Sequence, residues 1–314
     1  MILVSLMTLL VTGLAIAVPG PLYLVALALL GLPHVIWELG FLHSRYGGRW
    51  PLRWLLVPAA VLLAHAGLRT ANWLGGVSAT ALQVADLLAL LLLMLIVAAS
   101  PRGLSWHPRL GALVAGLAIM AALEAGYVAG TLLLLSLAHN FTPVGLAWDM
   151  ARQDPAYRPL AWRASGLFVL PLVMVAVGAA GYWPAPWALN GTEGLSPPWP
   201  NALEGPMQQA ILSAMVMAQC LHYDWVIRVL PATEHQRTGQ RALPPRIRQV
   251  AIGATAALAA YFAYDYAGAR KLYAVAAGLH AWIEWPILLM TLLAPPSVAQ
   301  MNDIRMRKRE SESS

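Results

Sequence analysis

The sequence predicts an all-α fold, a polytopic bundle of membrane-spanning helices, and two observations carry that prediction. Hydrophobic residues make up 59% of the 314 residues and charged residues only 11%. A soluble chain carries roughly 25% charged residues and needs them to cover its surface. Apolar stretches of about 17–25 residues, the length that crosses a bilayer, also recur along almost the whole chain. The net charge of +6 therefore speaks to how loops are placed across a membrane and does not call for a nucleic-acid partner. Cys220 is the single cysteine, so no intramolecular disulfide and no thiolate cluster can form. Any metal must be held by nitrogen and oxygen.

Ten spans are expected, at roughly 2–18, 21–44, 52–69, 77–99, 108–123, 125–149, 164–183, 207–230, 249–267 and 271–293. The first lacks the basic segment that opens a signal peptide and runs at once into the second, so it is expected to be an anchor. Pro19-Gly20-Pro21 punctuates the two. The stretch near 184–206 is rich in Pro, Trp, Gly and Asn and is expected as an outer loop. Residues 1–294 form the transmembrane domain and 295–314 a polar cytoplasmic tail. With both termini in the cytoplasm, every Lys and Arg except Arg69, Arg270 and Lys271 falls on the inner side, as the positive-inside rule requires. A multi-pass protein of a bacterial inner membrane is the expected setting.

Within this apolar background the second span carries His34 and Glu38, one helical turn apart and therefore on one face. Pro33 beside them removes an amide donor and is expected to kink the helix. The last span repeats the spacing with His280 and Glu284, followed by Pro286. His139 lies in Ala138-His-Asn-Phe-Thr-Pro143 and His222 in Gln219-Cys-Leu-His-Tyr-Asp-Trp225. The even-numbered spans that bear these histidines all run from outside to inside. At 1.5 Å per residue His34, His139 and His222 lie roughly 20 Å below the outer edge, with His280 and Glu284 close to that level.

Ionisable groups at membrane depth need a partner or a metal. The structural alternatives are a hydrogen-bonded His34–Glu38 pair, a His139 bonded across helices with help from Asn140 and Thr142, and a His222 near the cytoplasmic surface. Read together, four imidazoles and two carboxylates point to one metal site formed by His34, Glu38, His139, His222, His280 and Glu284. Imidazole mixed with carboxylate favours iron. A mononuclear non-haem iron would take the four histidines, with Glu38 and Glu284 as acceptors fixing the imidazoles. A dinuclear centre would use both glutamates as ligands.

Four other groups, His43, Asp149, Asp224 and Arg228, are expected near the cytoplasmic end as interface groups or an access gate. His65 is expected in the outer half as a structural histidine, His107 and His235 in loops; Asp86 and Glu124 receive no role.

From Gly31-Leu-Pro-His34, followed by Glu38, and from the closing His280-x-x-x-Glu284 helix, the chain resembles the Brp/Blh family of membrane β-carotene dioxygenases. The resemblance implies an all-helical membrane fold with histidine-ligated iron that cleaves a polyene with O2, and it matches His34 to the family's first ligand. The chain departs from the family in lacking its paired His-x-x-x-His helix, where Ala138-His-Asn offers one histidine. His65-Ala-Gly echoes the family's His-Phe-Gly motif, and on that analogy His65 is a further ligand.

Three functions compete. The first is an iron oxygenase or oxidase acting on a lipid-soluble, isoprenoid- or acyl-like substrate with O2, in which Glu38 or Glu284 moves protons. A redox partner or a homo-oligomer is compatible with it. The second is an electron carrier with b-type haem between paired histidines. The third is an ion or metabolite transporter that uses the His/Glu cluster as a transient site.

Overall fold

The computed structural model describes residues 2–47, 52–99, 106–184, 206–239 and 243–293. Among them every regular element is helical and no strand occurs. The helices are α1 (Ile2–Ala17), α2 (Pro19–Tyr46), α3 (Leu52–Trp73), α4 (Ala79–Ala98), α5 (Trp106–Glu124), α6 (Val128–His139), α7 (Thr142–Gln153), α8 (Arg158–Ala179), α9 (Pro206–Asp224), α10 (Leu230–Thr238), α11 (Pro245–Tyr264) and α12 (Tyr266–Leu292). A short 3₁₀ turn, Pro155–Tyr157, precedes α8, and a π-helical turn, Trp225–Val229, joins α9 to α10. Helices overlie the ten stretches expected as spans, but fewer than ten of them are long and apolar enough to cross a membrane. The expected outer loop near 184–206 and the tail 295–314 lie almost wholly outside the described residues.

By length and apolarity, six of the described segments are able to cross a membrane: α2, α4, α5, Pro155–Ala179, Pro206–Thr238 and α12. Counted together, α6 and α7 make a seventh, bent by 46°. Leucine, valine and isoleucine side chains at Leu63, Leu117, Leu134, Val250 and Ile252 stand exposed on the outside of the bundle. That arrangement suits a lipid solvent and not water.

Local chemistry explains several helix ends. Pro19 starts α2 at a position where its missing N–H is no loss. The Ser78 hydroxyl accepts from the Ala81 amide and caps α4, and the Asp265 carboxylate accepts from the Gly268 amide and caps α12. Gly239 closes α10 at φ 70°, where a side chain would be strained. Pro33 and Pro286 leave α2 and α12 as single helices; the break instead falls after His139, where Pro143 enters the first turn of α7.

Lipid tails are as apolar as leucine, so the helices are held by close packing and by polar contacts. Buried small residues line α8 (Ala161, Ala164, Gly178) and α9 (Ala210, Ser213, Ala214). A methyl group at Gly178 would collide with the Ala210 side chain. Because that neighbour is a rigid methyl, Gly178→Ala is expected to cost about 1–3 kcal/mol. A matching fall in thermal stability of the detergent-solubilised protein would show it, and an unchanged transition would deny the close approach.

On the side away from α9, α12 packs against α3 and α4. Beneath Gly278, where a Cβ would meet the Arg69 guanidinium and the His65 ring, lies a buried polar cluster. His65 Nε2 is 2.6 Å from Asp86 Oδ1, and Arg69 Nη2 donates to Asp86 Oδ2 at 2.7 Å. Asp86, to which the sequence assigned no role, thus joins α4 to α3.

Candidate metal centre

Three helices and the C-terminal end of a fourth deliver the site. His34 and Glu38 come from the middle of α2, His222 from the last turn of α9, His280 and Glu284 from α12, and His139 from the last residue of α6. All six residues are buried, Glu38 and His222 completely. The donor atoms of His34, Glu38, His139, His222 and His280 all lie within 4.8 Å of one another.

The finer geometry shows what these atoms share. His280 Nε2 stands 3.1 Å from His34 Nε2 and 3.1 Å from His139 Nε2. His222 Nε2 lies 3.3 Å and His280 Nε2 3.6 Å from Glu38 Oε2. Donors bound at 2.0–2.1 Å to one ion, at adjacent octahedral or tetrahedral positions, sit roughly 2.8–3.4 Å apart. The 3.1 and 3.3 Å spacings match such a shell, while the 3.6 Å separation and the 4.8 Å spread of the whole set are wider.

Hydrogen bonding alone does not account for the cluster. A ring nitrogen carries at most one hydrogen, so His280 Nε2 cannot serve two facing nitrogens that are themselves acceptors. His34 Nδ1 approaches the Leu30 carbonyl at 3.3 Å, and donation there leaves its Nε2 lone pair aimed inward. The carboxylates of Glu38 and Glu284 meet no backbone amide or hydroxyl donor among the described residues, and their near neighbours are the histidine nitrogens. Glu38 and Glu284 also lie against each other. Two adjacent carboxylates in a dry interior are costly unless a positive charge lies among them. The donor set fits a cation.

Glu284 stands differently from Glu38. Its Oε2 is 2.8 Å from His139 Nδ1, so it backs the imidazole whose other nitrogen faces the centre. This is the orientation in which a carboxylate fixes the ring of a ligating histidine and raises its basicity. On the near side of His34 the Tyr223 ring is stacked at 4.1 Å between centroids. Gln219 donates to the Tyr223 hydroxyl at 2.7 Å, and the Tyr273 hydroxyl follows at 3.5 Å. The tyrosines and Gln219 were not singled out in the sequence; Gln219 and Tyr223 sit one turn apart on α9, which was the available sign.

The structural alternatives fare poorly for the central residues. Asn140 Nδ2 turns back to the Ser136 carbonyl, and the buried Thr142 hydroxyl has no hydrogen-bond partner, so neither assists His139. His222 is at the centre and not near a surface. His65 is engaged with Asp86 and Arg69 and is not one of the five residues whose donors converge.

The expected cytoplasmic group divides into separate features. His43 is exposed. Asp224 and Arg228 pair with each other at 2.7 Å on the outside of the helix. Asp149 belongs to a buried network: Arg45 reaches Asp149 at 3.2 Å and Glu234 at 3.0 Å, and the Tyr46 hydroxyl donates to Asp149 at 2.8 Å. Arg237 also binds Glu234. Arg45, counted above among the loop cations, is therefore a buried group inside α2. His34, Glu38, Phe41 and Arg45 form one buried stripe at intervals of four, three and four residues, a helical periodicity that was available in the sequence.

Beside the centre lies a cleft of about 340 Å³, reaching His34, His139 and His280 at its inner end and Arg69 and Arg270 in its walls. Compared with protein-family models, with curated proteins and with solved structures, the chain matches none.

Proposed function

We propose that the chain is an integral-membrane non-haem iron oxygenase or oxidase that acts on a lipid-soluble substrate beside the His/Glu centre. In this reading it has ten spans, both termini are cytoplasmic and the setting is a bacterial inner membrane. The observation that carries the reading is His280 Nε2 facing both His34 Nε2 and His139 Nε2 at 3.1 Å, with Glu38 adjacent. His34, His139, His222 and His280 would hold the ion, with Glu38 as a further ligand or as the acceptor beside it. Imidazole with carboxylate suits iron better than softer or harder metals. Iron, when bound, supplies the activation of O2 that unreactive hydrocarbon requires.

The chain's own residues do the rest. Glu284 holds His139 through Nδ1, and Tyr223 holds the His34 ring by stacking. Glu38 Oε1 and Oε2 are the nearest carboxylate oxygens free to accept a proton. If both oxygen atoms of O2 enter the substrate, no external reductant is needed; if one leaves as water, a redox partner must supply two electrons. The residues that carry the Brp/Blh likeness, His34, Glu38, His280 and Glu284, all stand here, which supports oxidative cleavage or oxygenation of an unsaturated chain.

Haem fits less well, since four imidazoles crowd one point and leave no slot for a macrocycle between axial pairs. One observation favours the transporter reading: the helix break at His139, because interrupted helices mark ion sites in transporters. Purified full-length protein decides between them. The expected result is about one or two iron atoms per chain, retained through chelation, with no Soret band and with O2 consumed in the presence of lipid-soluble polyene or acyl substrates. Metal stripped at once by chelator, with no O2 uptake, would overturn the enzyme reading.

A further inference from the structure

The cleft beside the centre has walls of unlike chemistry. Along α12, Ala274, Ala277 and Ala281 present small apolar surface, opposite Leu133 of α6 and Met215 of α9. This floor leads from Arg270 to His280, ten positions further on and about 15 Å along the helix. At the outer end the Arg270 guanidinium is half-buried and has no carboxylate partner among the described residues. Arg69, by contrast, is already neutralised by Asp86. The Tyr266 hydroxyl lies within reach of Arg270 and of Tyr23, and Tyr23 lines the same end of the cleft.

A half-buried arginine that meets a tyrosine hydroxyl but no carboxylate among the described residues, at the end of a largely apolar groove, leaves its charge without a counter-ion. A planar anion, bound bidentately, supplies what is missing. The volume is at the low end of small-ligand sites, roughly 300–1,000 Å³, and suits one chain better than a two-chain lipid.

We infer that the substrate is a single-chain lipid with an anionic head, a carboxylate or a phosphate monoester, held at Arg270 with its chain laid along α12 toward His34, His139 and His280. The assignment rests on the metal-site reading only for which part of the chain reacts. It separates this protein's substrate from a headless hydrocarbon, which would gain nothing from Arg270.

The test uses full-length protein in uncharged detergent, with dibromostearate and its methyl ester as probes read by quenching of tryptophan fluorescence, Trp282 being in the cleft wall. Dibromostearate is expected to bind wild type at least tenfold more tightly than the ester. Arg270→Gln should erase that preference while leaving ester binding unchanged. Ala277→Phe, which fills the groove, should weaken both. Farnesyl phosphate competing more strongly than a fatty acid would assign the head as phosphate, and the reverse as carboxylate. Equal binding of acid and ester, or an acid affinity untouched by Arg270→Gln in a folded protein, would overturn the assignment. Iron content measured on the same samples keeps the two readings apart. Iron present without acid–ester discrimination defeats the head-group assignment alone, and wild-type protein without iron defeats the metal-site reading.

Discussion

His280→Ala is expected to lose nearly all bound metal while remaining a folded helical protein. Its Nε2 is the one atom that faces two other imidazoles at 3.1 Å, so its removal opens the ligand shell at its most connected point. Losing a residue that only supports a ligand costs roughly 10–100-fold in metal affinity, and losing a ligand should cost more. Glu284→Gln tests the lesser role: it keeps the shape behind His139 but weakens the acceptor, so a loss within that 10–100-fold range is expected. Elemental analysis alongside far-ultraviolet circular dichroism measures both. Metal content unchanged in His280→Ala and in His34→Ala would remove the proposed centre altogether.

Arg45→Ala is expected to be the most destabilising single change away from that centre. The Arg45 side chain is 1% exposed and answers two acids, Asp149 and Glu234, which are themselves 4% and 3% exposed. Truncation leaves two carboxylates in the bundle with reduced compensation, Glu234 keeping only Arg237. Breaking a buried pair in this way costs about 3–5 kcal/mol. Replacing the whole group with neutral residues is a different matter, because the desolvation of the acids disappears with their charge. The triple variant Arg45→Met, Asp149→Asn, Glu234→Gln should therefore recover most of the lost stability. Thermal unfolding in detergent reads both, and a single variant as stable as wild type would show that the network contributes nothing.

The parts of this protein that were legible in its sequence are those governed by one helix at a time. His34 with Glu38, and His280 with Glu284, follow from helical spacing alone. Contacts that depend on how two helices are rotated against each other were not legible. Asp86 acquires a meaning only when α3 brings His65 and Arg69 to it. Arg45 was misplaced because a charge-counting rule sorts side chains by loop and cannot see that the end of α2 is buried. The break after His139 was marked by Pro143, yet proline inside a span more often leaves it whole, as Pro33 and Pro286 do. Helical spacing puts Glu284 on the face of His280, but only geometry separates its place behind His139 from the place of Glu38 among the converging donors.

The π-helical turn Trp225–Val229 has a consequence for how the two buried polar groups are linked. His222 and Glu234 are twelve positions apart, which on an unbroken α-helix would set them about 120° apart around the axis. Absorbing one extra residue in a wider turn subtracts about 100° and brings them within about 20°. A single irregularity thus re-phases the rod so that the half bearing His222 and the half bearing Glu234 look the same way. Deleting one residue there would let the segment close as a regular α-helix with Glu234 still turned toward Arg45, whereas regularising the turn at full length would swing Glu234 about 100° away.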